Sequence, residues 1–284
     1  RFATGDAVSW FSGKGLELLV EEDGRMFPIS NSSAEVISCL SKSANAGGVQ
    51  CFINSPVKRL DYLKNKGFFV YIHDSKPLEA KRILISTGGN PSGRKLASRL
   101  GHTIVPPVPS LFSLTLEAKP LSDLSGLALN DVKVQLIVGG KSFHETGRVL
   151  ITHWGLSGPA ILRLSAFAAR ELHRNSYKAK LNINWINTSY NIAVYLMKDF
   201  RSHSSRLRIG NSRPFAKLPK RLWLAFLKQS DIDPTIRWTE LSSLKEKKLL
   251  NILFSNSYSI IGRGPYGEEF VTAGGVGLGE VNFA

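Results

Sequence analysis

Three short segments of this 284-residue chain hold residue types at spacings that suit ligand chemistry. In Arg82-Ile-Leu-Ile-Ser-Thr-Gly-Gly89 an apolar run ends in a Thr-Gly-Gly turn. Glycine lacks a Cβ, so it tolerates positive φ and lets a bulky group come up against the main chain. A strand that ends this way suits the carboxyl edge of an α/β sheet, where such folds bind cofactors. Val271-Thr-Ala-Gly-Gly-Val-Gly277 repeats the arrangement. One such ledge is ordinary, whereas two, each after a short strand, suggest a shared ligand.

Thr152-His-Trp-Gly-Leu-Ser-Gly-Pro159 sets a titratable ring, an indole and two glycines before a helix start. Two readings of His153 stay open. In one it is an acid, a base or a hydrogen-bond donor to a cofactor ring. In the other, which the residues alone favour, the segment is a tight strand-to-helix turn with His153 packed or facing solvent. Ser157 is placed to cap the helix that follows.

Positioning these segments requires an alternation of strands and helices. Ser30 to Ala46 has apolar residues at mostly helical spacing, with Ser30 or Asn31 as N-cap and Gly47-Gly48 as its close. Val49 to Ile53, Phe68 to Ile72 and Arg82 to Ser86 read as strands, and Ser92 to Leu100 as a short helix. This pattern indicates an α/β layer. Val105-Pro-Pro-Val-Pro-Ser110 then reads as an extended connector at a domain boundary. Beyond it Phe112 to Leu116, Val132 to Val138 and Arg148 to Thr152 are β-rich. Pro159 to His173 is the clearest helix. Asn191 to Phe200, Leu218 to Lys228 and Leu241 to Phe254 read as three more, before strand-like sequence returns at Tyr258 to Ile261 and Phe270 to Thr272.

Hydrophobic residues make up 43% of the chain, enough for a core, and no apolar run approaches the roughly 18 residues of a membrane span. No targeting segment is visible at Arg1-Phe-Ala-Thr-Gly-Asp6, and the expectation is a soluble intracellular protein, cytoplasmic or plastid. Cys39 and Cys51 fit neither a disulfide framework nor a zinc pattern, and read as core thiols with no metal site. The formal charge is +15, and Arg201 to Leu250 carries 12 Lys/Arg against 4 Asp/Glu. That region has no zinc-finger spacing, no RNA-recognition aromatic motif and no heptad repeat. The expectation is a solvated basic face rather than dedicated nucleic-acid binding.

Two further motifs fall away on context. Gly262-Arg-Gly-Pro-Tyr-Gly267 matches Gly-x-Gly-x-x-Gly, but strand-like sequence follows instead of a helix, so it reads as a loop. Ser92-Gly-Arg-Lys95 matches Ser-x-x-Lys without its companion elements. It reads as the start of a helix whose free N–H groups favour an anion.

Taken in order, Gly24-Arg-Met-Phe-Pro-Ile-Ser30, Ile83-Leu-Ile-Ser-Thr-Gly-Gly89, Leu100-Gly-His-Thr-Ile-Val-Pro106, Thr152 to Leu162, Leu218-Pro-Lys-Arg-Leu-Trp223 and Phe270-Val-Thr-Ala-Gly-Gly-Val276 resemble one family. These are the aminoacetone-oxidase-like (BaiN-type) NAD(P)/FAD-dependent oxidoreductases, and the segments are most similar to cyanobacterial and plant members. The resemblance implies an α/β fold: a Rossmann-like FAD-binding domain, here partial (1–108 and 268–284), interrupted by an insert domain (109–267). The insert would be β-barrel-like over 109–155 and mainly helical over 156–257. It implies FAD as cofactor, with NAD(P)H as an electron donor and a small-molecule substrate. Thr87, Gly88 and Gly89 would lie beside the flavin nucleotide, and the backbone of Val57 against the adenine. Gly274 and Gly275 would lie near the isoalloxazine, with His153 closing over it. The family's first strand, with its glycine fingerprint, and its last flavin-contacting stretch have no counterpart here. The chain therefore reads as a fragment that binds FAD weakly or not at all, with a basic binding module or an inactive product as alternatives.

Overall fold

The computed structural model describes residues 2–21, 24–72, 76–265 and 271–283, and the chain divides into two compact units, 1–83 and 84–284. The first unit opens with helix α1 (Thr4–Gly13), strands β1 (Leu18–Val20) and β2 (Met26–Pro28), and helix α2 (Ser33–Ala46). Strands β1 and β2 form an antiparallel pair. The N-cap of helix α2 is Ser32, and the Ser30 hydroxyl accepts the Ser32 N–H at 3.3 Å. The unit closes with an antiparallel sheet of β3 (Val57–Leu63), β4 (Gly67–Ile72) and β5 (Leu78–Ala80). Gly67 turns the chain at φ +86°, and a Cβ there would lie 2.7 Å from the Ala80 carbonyl oxygen. Only glycine lets β5 pair so closely.

Two expected features of this unit are corrected. Val49 to Ile53 is not a strand: it runs irregularly into a turn in which the Ser55 hydroxyl bonds the Ile53 carbonyl at 2.9 Å. The two cysteines are not core thiols, since Cys51 is exposed and Cys39 only half-buried. A strand exists only where a neighbour completes its ladder, and none of the described strands lies beside 49–53.

The second unit begins irregularly. Arg82 to Ser86 forms no strand either, and Leu84 is 88% exposed. Helix α3 (Pro91–Arg99) follows, then strand β6 (Ile104–Ser110). The proline-rich connector is thus a paired strand, whose partner is the last strand of the chain. A closed antiparallel barrel comes next. Its strands are β7 (Leu114–Leu116), β8 (Ala128–Val138), β9 (Lys141–Ile151) and β10 (Gly155–Ser157). Helices α4 (Pro159–Phe167) and α5 (Ala169–Arg174) intervene before β11 (Ala179–Asn184). Three helices are then inserted: α6 (Tyr190–His203), α7 (Lys220–Gln229) and α8 (Ser243–Ser255). Strand β12 (Asn256–Arg263) closes the barrel, and β13 (Val271–Val276) pairs antiparallel with β6.

Alternation in β8 shows why the barrel forms. Val132, Val134, Leu136 and Val138 are buried, while Lys133, Gln135 and Ile137 between them are not. This is the period-2 pattern of a strand with one face in a core. Around the ring, from β10 through β7, β12, β11, β8 and β9, the inward residues include Leu114, Leu116, Val149, Ile151, Leu156, Leu181 and Ile260. Closure needs bulges at β8–β9 and at β12–β7, and a Cβ on Gly155 would lie 2.1 Å from the Leu114 carbonyl oxygen. Asp131 occupies the first bulge at φ +57°, and its carboxylate accepts from Asn187 at 2.6 Å and Lys217 at 3.1 Å. The Lys217 ammonium, followed by the Asn187 amide, holds the Asp131 carboxyl below its ordinary range.

The inserted helices pack around two buried indoles. Trp223 and Trp238 stack with centroids 6.3 Å apart. Their N–H groups donate to the Ile209 carbonyl and the Ser212 hydroxyl, both at 2.8 Å. A buried indole N–H left without an acceptor would cost stability, so these two bonds fix the layer's arrangement. No helix among the described residues is long and apolar enough to cross a membrane.

Candidate functional site

The turn at Thr87-Gly88-Gly89 is held against the helix that follows it. Asn90 caps α3, its side chain accepting the Ser92 N–H at 2.9 Å, with Pro91 in the first turn. The helix therefore begins at Pro91, capped by Asn90, rather than at Ser92. Thr87 accepts the Asn90 N–H through its carbonyl at 3.2 Å, and Arg94 donates to the Gly89 carbonyl at 2.9 Å. Gly93 is buried beneath the turn, and a Cβ there would lie 2.1 Å from the Thr87 hydroxyl. Gly88 sits at φ +56°, and neither Gly88 nor Gly89 has another group within 4 Å of where a Cβ would stand. The result is a hydrogen-bonded, solvent-facing strip of main chain at a helix start.

The second ledge is built differently. At the bulge of β13 against β6, a Cβ on Gly274 would lie 2.8 Å from the Pro106 carbonyl oxygen and 2.8 Å from Pro107 Cα. Strand pairing alone therefore demands glycine at 274. Gly275, at φ +125°, faces open space. Helix α3, which starts at the first ledge, packs on both β6 and β13. The two glycine segments thus belong to one unit and to elements in mutual contact.

A clasp beyond β13 completes this corner. Glu280 accepts the Thr103 N–H at 3.0 Å and meets His102 Nδ1 at 2.8 Å, while Gly277 donates to the Thr103 carbonyl at 2.9 Å. The Thr103 hydroxyl, then the His102 ring, then the Thr103 N–H hold the Glu280 carboxyl down, from its ordinary 4.5 to about 2. Sequence reasoning missed this group, because nothing in the local spacing links residues 102 and 280.

His153 is exposed at the tip of the β9–β10 connection. Thr152 holds this turn, receiving the Gly155 N–H on its hydroxyl at 3.1 Å and donating its own N–H to the Gly155 carbonyl at 2.9 Å. Trp154 bonds Ser113 at 3.4 Å, and a Cβ on Gly264 would lie 2.1 Å from the Ser113 hydroxyl. Ser157 does not cap α4: it lies in β10, and Gly158 at φ +93° is the N-cap. Val57 is the first residue of β3 in the first unit, half-buried and paired with Ile72. Gly262 and Arg263 end β12, whereas Gly267 and Phe270 lie outside the described residues. No group of three or more His, Cys, Asp or Glu side chains suited to a metal ion occurs among the described residues.

Comparison with known proteins places this architecture. The model of the HI0933-like protein barrel and H2TH domain matches residues 108–271. The chain is 26% identical over 292 aligned positions to the 3-dehydro-bile acid delta(4,6)-reductase of Clostridium scindens, covering 99% of this chain and 70% of that protein. It is 25% identical over 293 positions to the ribosomal RNA dihydrouridine synthase of Escherichia coli, covering 99% and 69%. The Haemophilus influenzae protein of the same name is 28% identical over 179 positions, covering 59% and 43%.

Proposed function

This chain belongs to the HI0933-like family, and from that premise we propose that it serves a flavin-dependent reductase acting on a carbon–carbon double bond conjugated to a carbonyl. The alignment of 99% of the chain with a delta(4,6)-reductase carries the reading. The alignment of as much of it with a dihydrouridine synthase supports the same bond type, since dihydrouridine is uridine with one ring double bond saturated. FAD fits the residues present: Gly88 and Gly89 leave the main chain bare on the solvent side, and Gly275 faces open space. Reduced by NAD(P)H, bound FAD would supply the hydride.

The chain's own residues would orient and protonate. Thr87, Gly88 and Gly89 hold the nucleotide against the start of α3, whose positive dipole end favours its phosphates. Gly275 admits the ring, and Gly274 keeps β13 close to β6. His153 donates the proton that completes the addition, from a turn braced by Thr152 and Trp154.

The test supplies the purified chain with FAD and NADPH and offers two acceptors, a conjugated enone steroid and a uridine-containing oligoribonucleotide. The expected product of one of them is heavier by two hydrogens, and its formation depends on flavin. His153→Asn is expected to lower turnover by about 10²-fold or more, the usual worth of a positioned proton donor, with flavin uptake unchanged. Flavin-loaded protein that leaves both acceptors untouched would contradict the proposal.

A further inference from the structure

We propose that the groove between α6 and α8 binds the sugar-phosphate backbone of single-stranded RNA. The groove has a volume of about 560 Å³, within the range of about 300–1,000 Å³ typical of ligand sites. Val194 and Leu250 line its apolar part, and Tyr190, fixed edge-on against Phe254 with centroids 5.7 Å apart, supplies a wall.

Its charged residues divide into two sets. Arg201 is occupied, donating to Glu246 at 2.6 Å and to the Leu241 carbonyl at 2.8 Å, and so ties α6 to α8. That pair neutralises the one carboxylate lining the groove. Lys198 from α6 and Lys247 from α8 are exposed, and neither has a hydrogen-bond or ion-pair partner among the described residues. The neighbouring Asp199 is not part of the lining, and its carbonyl accepts from His203 or Ser202.

Two unneutralised ammonium groups beside an apolar and aromatic surface match a nucleotide chain, with phosphates on the lysines and bases against the floor. The field around the groove has the same sign, given the +15 formal charge and the excess of 8 cations (12 − 4) between Arg201 and Leu250. No linear motif announces such a site, because its two free cations come from separate helices.

The inference is independent of flavin loading, so its failure and that of the reductase reading are separable. The probe is a fluorescein-labelled single-stranded RNA of about 12 nucleotides, followed by anisotropy across a salt series. Lys198→Gln/Lys247→Gln is compared with Lys133→Gln/Lys180→Gln, which removes the same charge from exposed barrel positions. The groove variant is expected to bind about tenfold more weakly at low salt and to flatten the log–log salt slope by about 1.4, or 0.7 per lost phosphate contact. The barrel variant is expected to stay within about twofold of the parent. Equal losses in the two variants would reduce the binding to net charge and overturn the site. So would absence of binding at low salt, or tighter binding of a labelled acidic peptide than of RNA.

Discussion

A Cβ on Gly274 would lie 2.8 Å from the Pro106 carbonyl oxygen, whereas at Gly88 it would meet nothing within 4 Å. Both positions have positive φ, so alanine is strained at either, but only at 274 must main chain also move. Gly274→Ala is expected to cost about 2–3 kcal/mol and Gly88→Ala about 1 kcal/mol, read as the difference in chemical denaturation midpoints. A larger loss at 88 would contradict this account of the two ledges. Glu280 gives a second test. Its carboxyl is depressed in the folded state, so its contribution is complete above its ordinary 4.5 and is lost as pH falls through about 2. The Thr103 amide resonance is expected to titrate with a midpoint near that lower value, and a midpoint near 4.5 would mean that the clasp does not form. The glycine pairs were legible in the sequence, since their letters alone permit close approach. The clasp was not, because it depends on β6 and β13 being paired.

Among the elements, α6 and α8 are joined by a charge pair that is largely withdrawn from solvent. Glu246 is 9% exposed, and removing Arg201 strands its carboxylate. Arg201→Ala is therefore expected to cost about 1–3 kcal/mol, reduced from the fully buried case because the arginine is partly solvated. Lys217→Ala, which removes an exposed partner of Asp131, is expected to cost under about 1 kcal/mol. Thermal denaturation of the two variants checks the order, and a reversed order would contradict it. The periodicity of the inserted helices was plain in the sequence, and α6, α7 and α8 lie close to where it put them. The expected Pro159–His173 helix is interrupted at Ala168, which divides it into α4 and α5. Strand pairing was less legible. Val105 to Ser110 has three prolines and looks like a linker, yet it is β6, held by contacts more than 160 positions away. Val49 to Ile53 and Arg82 to Ser86 have strand composition but no ladder among the described residues. Local composition sets the willingness to be extended, and a distant partner decides whether a strand results.

At the scale of the molecule, the barrel with its inserted helices supplies most of the buried core, while the glycine ledges lie outside the barrel, one just before α3 and the other on β13. This separates a stable scaffold from a bare strip of main chain available to a ligand, a division that suits a protein handling a bound cofactor. Barrel closure could not be read from the sequence, because it joins strands from both ends of the segment around the inserted helices. The family motifs reached the same architecture through resemblance, and the match over 108–271 supports them. The central claim is that the Thr87–Gly89 ledge holds FAD, and titration of the chain into FAD with flavin fluorescence as readout tests it most directly. Saturable quenching below about 1 mM, equivalent to roughly 4 kcal/mol of binding, is expected, weakened at least about tenfold by Gly89→Val and unchanged by Lys133→Gln. Flavin fluorescence that stays constant throughout, or quenching that Gly89→Val leaves intact, would contradict it.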